Sequence, residues 1–325
     1  MSELRWHPFL SEWVVTATHR QGRTHLPPEE RCPLCPTKPG GPTTEAPFAD
    51  YDILVFENRF PAFRRDPPEP SVVGTGLCPV CPSEGVCEVV CYSPRHDATL
   101  ASLPLLQTRK LVRVWRDRTV ALGTLGEVIY VLIFENRGRE VGVTLTHPHG
   151  QIYGFPFVPS VPARTLAAES VHWKRTGRAL VDDWILEESA DGRRIVASGP
   201  WFVVVCPFFA RFPFESWIVP TAPWTSLAEV GPDGLDSLAE AVHTMSRAYE
   251  ALFEGPTPLM LVVHQAPTDG VARPWTRLRV EFLPLKRAEG KLKHLASVEA
   301  GAGAFLTDTL PEDCALALRR VCSSL

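Results

Sequence analysis

The chain has no long hydrophobic run, no excess of basic charge and no apolar opening. None of its apolar stretches approaches the roughly 18 residues of a membrane-spanning helix; the longest, Val128–Phe134 and Trp201–Val205, are strand-like. The first residues, Met1-Ser-Glu-Leu-Arg-Trp, lack the apolar core of a secretory signal. A net charge of −4 argues against nucleic-acid binding through a basic surface. These absences point to a cytoplasmic protein with no membrane or nucleic-acid partner. Nine cysteines, an odd number without an export signal, favour reduced thiols or metal ligation over a disulfide framework.

What is present fits a soluble globular protein: 325 residues, 45% hydrophobic and 22% charged, enough for two domains or one large fused core. The 32 prolines predict long ordered connections. Strand-like segments fall at 12–16, 52–57, 86–92 and 128–135, with a proline- and glycine-rich excursion over 64–85. A helix follows Ser102 as N-cap, with Leu105, Leu111, Val112, Trp115 and Val120 at roughly helical spacing. The second half repeats the order: strands at 201–205 and 215–219, a helix over 236–253, strands at 259–264 and 278–283. A further helix is predicted over 163–180. Phe56-Glu57-Asn58-Arg59 recurs as Phe134-Glu135-Asn136-Arg137, a four-residue match that chance can produce. The pattern is α+β, each half an antiparallel sheet with a packed helix.

Chemistry concentrates in His147-Pro148-His149-Gly150-Gln151. In an extended stretch, residues i and i+2 project to one side, so both imidazoles can face one site. Neutral imidazole serves as metal ligand or nucleophile. Gly150 removes a side chain where a phosphate would approach the backbone, and Gln151 offers an amide donor. Two loop histidines without function are the plain alternative.

Cys32-Pro-Leu-Cys35 has the spacing by which one turn delivers two thiolates to zinc. The remaining ligands are either Cys78 and Cys81, giving four thiolates, or His96 and His147; spacing does not choose. Cys206, Cys314 and Cys322 read as small core residues.

Taken together, these motifs make the chain resemble the galactose-1-phosphate uridylyltransferases of the histidine-triad superfamily. The resemblance runs through His19-Arg20-Gln21-Gly22-Arg23, the Cys32–Cys35 turn, Val55-Phe56-Glu57-Asn58-Arg59-Phe60, Ser93-Pro94-Arg95-His96, Phe134-Glu135-Asn136-Arg137-Gly138, the HPHGQ segment, His264-Gln265-Ala266-Pro267 and the stretch from Lys293 to Glu299. It implies two tandem histidine-triad-like domains, 1–180 with the catalytic segment and 181–325 with a substrate-contacting tail. It implies ping-pong exchange of UMP between UDP-glucose and galactose 1-phosphate, with His149 as nucleophile and Gln151 holding the phosphoryl group. Cys32, Cys35, His96 and His147 are then the ligands of a zinc ion. Arg20, Arg23, Phe56, Asn58, Arg59, Val89, Asn136 and Thr144 contact substrate. Lys293 and Glu299 reach the sugar phosphate of a partner subunit in a homodimer. An enzyme of the same superfamily acting on ADP-sugars is the nearest alternative.

Some departures stand out. Family members with a second, iron-type metal hold it with a glutamate and three histidines; here His264 aligns, but Thr165, Arg279 and Glu281 stand at the other ligand positions, with Glu169 nearby, which implies loss of that site. Arg59 replaces an acidic residue found in some members, and Val298 replaces an aromatic one near the hexose. The pair Cys78 and Cys81 is an addition that maps to no family function.

Overall fold

The computed structural model describes residues 2–41 and 43–325. A small sheet of β1 (Ser2–His7), β2 (Glu12–Ala17) and β4 (Val80–Pro82) precedes and flanks the main body, in the order β2-β1-β4. The main sheet contains β3 (Leu54–Glu57), β5 (Val86–Cys91), β6 (Tyr130–Arg137) and β7 (His149–Phe155) from the first half. The second half contributes β8 (Ile195–Ser198), β9 (Phe202–Val205), β10 (Ser216–Pro220), β11 (Leu259–His264) and β12 (Arg279–Pro284). The spatial order is β3-β5-β7-β6-β11-β12-β10-β9-β8, every neighbouring pair antiparallel.

Read outward from the central β6–β11 pair, the order is the same on both sides. Each half places its long helix before its central strand: α1 (Leu105–Gly123) between β5 and β6, and α4 (Pro232–Leu252) between β10 and β11. The halves are thus related by an approximate two-fold axis through the β6–β11 seam, and their sheets merge into one. A single cross-strand row makes this explicit: Phe56–Val89–Gln151–Phe134–Val262–Glu281–Trp217–Val205. Gln151 and Glu281 hold equivalent places in it, and two residues back along each strand so do His149 and Arg279.

Alternation along the strands separates two faces. On β7, Gly150, Ile152 and Gly154 are buried while His149, Gln151 and Tyr153 are half-buried. The buried face packs on α1, through Leu111, Val112, Trp115 and Leu122, and on α4, through Leu238, Val242, Met245 and Tyr249. These residues form one continuous core that crosses the seam. The C-terminal helix α6 (Pro311–Cys322) adds Cys314, Ala315 and Leu318 to it. Cys206 and Cys314 are buried as expected, with Cys322 packed at the edge.

The predicted helix over 163–180 is two helices, α2 (Ser160–Thr176) and α3 (Leu180–Asp191). Gly177 at φ +70° ends the first in the left-handed conformation that favours glycine, and the chain turns there. Ser102 is not the N-cap of α1. Its hydroxyl and amide bond Thr99, and Pro104 starts the helix two residues later. The excursion 64–85 contains β4, which pairs Cys81 with Leu4. The tail forms the hairpin β13 (Lys286–Ala288) and β14 (Lys291–Leu292), then α5 (Ser297–Ala302).

Candidate active site and metal centre

His149 begins β7, where the main sheet's open face meets the loop from Val143 to Pro148. Its Nδ1 lies 2.7 Å from the His147 carbonyl oxygen. A carbonyl only accepts, so Nδ1 carries the proton and Nε2 keeps its lone pair. Burial lowers the His149 pKa, opposed by the His147 carbonyl and by Glu135, so the ring is neutral at pH 7. Two openings meet at this ring. One is a narrow cleft walled by Pro33, Leu34, Phe56 and Val89, with Arg20, Arg23, Asn58, Arg59, Thr144 and Gln151 on its polar side. The other is a wider cavity of about 440 Å3 containing Asn136, Arg137 and Arg139.

Most polar groups around the cleft are fixed by neighbours. Arg20 donates from NH1 to the Phe60 carbonyl at 2.9 Å, and Arg23 Nε to the Arg20 carbonyl at 3.1 Å. Asn58 accepts from the Phe60 amide at 2.9 Å and donates to Gln151 Oε1 at 3.3 Å. Tyr153 Oη also donates to Gln151 Oε1, at 3.2 Å. Arg59 lies at the rim, paired with Glu45 at 3.3 Å. The structure therefore brings Arg20, Arg23, Phe56, Asn58, Arg59, Val89, Thr144, His149 and Gln151 to one cleft, with Asn136 in the adjoining cavity. Lys293 and Glu299 lie elsewhere, ion-paired at 2.9 Å beside a separate cavity in the second half.

Gly150 has a different task from the expected one. A Cβ there would sit 2.2 Å from Tyr92 Oη and 3.0 Å from the Phe134 carbonyl, on the buried face. The pleat points position 150 away from the cleft, so packing over Tyr92 requires glycine, and phosphate access does not.

His147 turns away from the cleft. Its Nδ1 is 3.6 Å from Cys35 Sγ, and His96 Nδ1 is 3.3 Å from the same sulfur. The ligand atoms of Cys32, Cys35, His96 and His147 all lie within 4.8 Å of one another. A tetrahedral zinc with ordinary Zn–S and Zn–N bonds would place sulfur and nitrogen about 3.5 Å apart, so the spacing fits. The far nitrogens are occupied: His147 Nε2 by the Ser93 carbonyl at 2.9 Å, His96 Nε2 by Thr146 Oγ1 at 3.1 Å. Such outer bonds orient imidazole ligands. Tyr51 bridges Ser93 O and His147 Nε2 at 2.9 and 3.1 Å. Burial and the neighbouring Cys32 push the Cys35 thiol up to about 12, and burial pulls His147 down to about 4. A divalent cation at the centre would stabilise the thiolate and the neutral imidazole together. The four groups could hold a metal such as zinc. The all-cysteine arrangement is not formed: Cys78 is exposed, Cys81 packs beside Leu4, Phe63 and Cys87, and the mixed cluster is the only such group among the described residues.

In the second half, α2 and α3 close over the equivalent face. Glu281 accepts from Arg279 Nε at 2.7 Å, with His264 and Arg211 each 3.6 Å from its other oxygen. Burial alone would raise the Glu281 pKa, but His264 and Arg279 hold it lowered. Glu169, from α2, is buried against Thr276, while Thr165, one turn earlier, bonds only its own helix. Trp217 lies under the Arg279 guanidinium, 5.1 Å from its carbon, and packs with Trp184 and Phe209.

Known proteins resemble the chain in sequence and in fold. Models of the galactose-1-phosphate uridyl transferase N-terminal and C-terminal domains match residues 1–159 and 166–288. The galactose-1-phosphate uridylyltransferase of Thermotoga maritima is 37% identical over 98% of both chains. The chain belongs to this family. It is a nucleotidyltransferase of that family by homology, and the family implies sugar-nucleotide substrates. The Streptomyces lividans member is 36% identical over 86% of this chain and 76% of its own. A solved uridylyltransferase superposes with TM-score 0.86 at 32% identity over 99% of each chain. An ADP-glucose phosphorylase from Arabidopsis thaliana, at 21% identity and TM-score 0.74 over 98% of each, shares the fold. No helix is long and apolar enough to cross a membrane among the described residues.

The sequence reading missed Tyr51 and Tyr153. For Tyr153 a signal existed: in a strand it stands two residues beyond Gln151 and shares its face. Tyr51 carried none, since its contacts to Ser93 and His147 exist only in three dimensions.

Proposed function

We propose that the protein exchanges UMP between UDP-glucose and galactose 1-phosphate through a covalent uridylyl group on His149. The observation that carries this is the His149 tautomer: with Nδ1–H held by the His147 carbonyl, Nε2 is the free atom where cleft and cavity meet. The cleft suits a pyrimidine, with an apolar slot of Leu34, Phe56 and Val89 and polar groups beyond it. Nε2 attacks the α-phosphorus, the bond to the β-phosphate oxygen breaks, and glucose 1-phosphate leaves with that electron pair. The Nδ1–H bond to the carbonyl stabilises the positive charge on the ring. Gln151 and the Arg20 and Arg23 guanidiniums face the charge on the non-bridging oxygens. Galactose 1-phosphate then attacks the same phosphorus, the N–P bond breaks and His149 returns neutral. One nucleophile serves both half-reactions because two sugar phosphates occupy one pocket in turn.

Zinc is the ion best suited to Cys32, Cys35, His96 and His147; bound there, it fixes the cysteine turn and His147 in place. Lys293 and Glu299 complete the sugar site from a second copy, which makes the working unit a homodimer. The test is intact-protein mass after incubation with UDP-glucose and, separately, ADP-glucose. A UMP adduct absent in His149→Ala is expected; an AMP adduct alone would overturn the uridylyl reading in favour of an ADP-sugar enzyme.

A further inference from the structure

Gln151 can present either end of its amide to the cleft, and only the nitrogen end donates to a phosphoryl oxygen. Asn58 decides the matter, and Tyr153 adds a second bond. Asn58 Nδ2 stands 3.3 Å and Tyr153 Oη 3.2 Å from the same atom, Gln151 Oε1, which uses both of its lone pairs. A flipped amide would set its NH2 against the Asn58 NH2 and lose that bond, and the Tyr153 hydroxyl would have to turn from donor to acceptor. Asn58 is itself held, its own oxygen accepting from the Phe60 amide at 2.9 Å. The Tyr153 ring packs edge-on against Phe134 at 5.1 Å and Phe63 at 6.2 Å, so the hydroxyl arrives from a fixed direction.

We infer that Tyr153 is a positioning residue for uridylyl transfer: beside Asn58, its hydroxyl holds the Gln151 amide in place with the NH2 toward the phosphoryl group. The inference rests on the reading of His149 as the uridylyl acceptor. It gives Tyr153 an effect on the rate of bond exchange rather than on nucleotide binding, because the hydroxyl touches the amide and the amide touches the charge that develops.

A double-mutant cycle tests it, following UMP uptake from UDP-glucose in single turnover with wild type, Tyr153→Phe, Gln151→Ala and the double variant. Tyr153→Phe, which keeps the packed ring, is expected to slow uptake about tenfold with little change in the half-saturating UDP-glucose concentration. In the Gln151→Ala background the same change should cost nothing further. An equal loss in both backgrounds, or an unchanged rate in Tyr153→Phe alone, overturns the inference. A second measurement uses the two diastereomers of the α-thio analogue of UDP-glucose: the cost of Tyr153→Phe should shrink for only the one whose sulfur replaces the oxygen facing Gln151, and equal cost for both overturns it. Thermal unfolding of each variant identifies any loss due to misfolding. Absence of adduct in the wild type sinks the reading underneath instead, a result distinct from any pattern among the variants.

Discussion

His149–Gln151 and Arg279–Glu281 stand at equivalent places on one sheet, two strands out from the β6–β11 seam on either side. In the first half the strand faces a cleft; in the second it faces α2 and α3. The same register and pleat carry a free imidazole on one side and a buried ion pair on the other. What differs is the covering layer: the segment between β7 and β8 folds into two helices that lie on the second half, while the corresponding surface of the first half stays accessible. A duplicated scaffold thus carries an open cleft in one copy and a sealed polar core in the other.

The contrast can be broken most sharply at its two centres. His149→Ala should abolish UMP uptake, a loss of at least about 10⁴-fold, with unchanged melting; retained uptake would remove the nucleophile from the first half. Arg279→Met should act the other way, leaving the Glu281 carboxylate buried without its main partner. It is expected to cost about 3–5 kcal/mol of stability, read from denaturant unfolding, with the double change Arg279→Met and Glu281→Leu recovering most of it. Uptake by folded Arg279→Met should stay normal, and its loss would mean that this buried ion pair also supports the reaction.

Among the described residues, the one cluster that could hold a metal, Cys32, Cys35, His96 and His147, lies in the first half. Cys32→Ser, or exhaustive chelation, should lower the melting temperature and slow UMP uptake by at least about tenfold, since Leu34 between the two cysteines walls the cleft. Elemental analysis together with the uptake rate checks both parts. A smaller effect concerns pH. Burial lowers the pKa of both His149 and His264 below 6.5. For a histidine, lowering keeps the neutral form as pH falls, so the acid-side decline of uptake should be centred below 6.5; a decline centred at or above 6.5 in the pH–rate profile would contradict the buried, neutral ring.

The repeated order of elements was legible in the sequence because amphipathic helices and apolar strands carry their own periodicity. Its geometric meaning was not, since nothing local announces that β6 will pair with β11. The FENR repeat has a different sense from tandem duplication: Phe56 and Phe134 lie in one row on either side of Val89 and Gln151, within the same half. The cysteine turn and the HPHGQ segment pointed to their site because close spacing encodes local geometry. Choosing between Cys78/Cys81 and His96/His147 required the fold, which draws His147 toward Cys35 and sets Cys81 on β4. Gly150 shows the converse: a strand of alternating faces hides which neighbour a missing side chain accommodates.

The seam between the halves also has a consequence in time. The outer edge of β6 finds its partner only when β11 has been made, more than a hundred residues later in the chain. At roughly 5–20 residues per second of synthesis this leaves an unpaired, largely apolar strand edge on the nascent first half for on the order of ten seconds. During that interval Tyr130–Arg137 is the stretch a ribosome-associated chaperone would have most reason to cover.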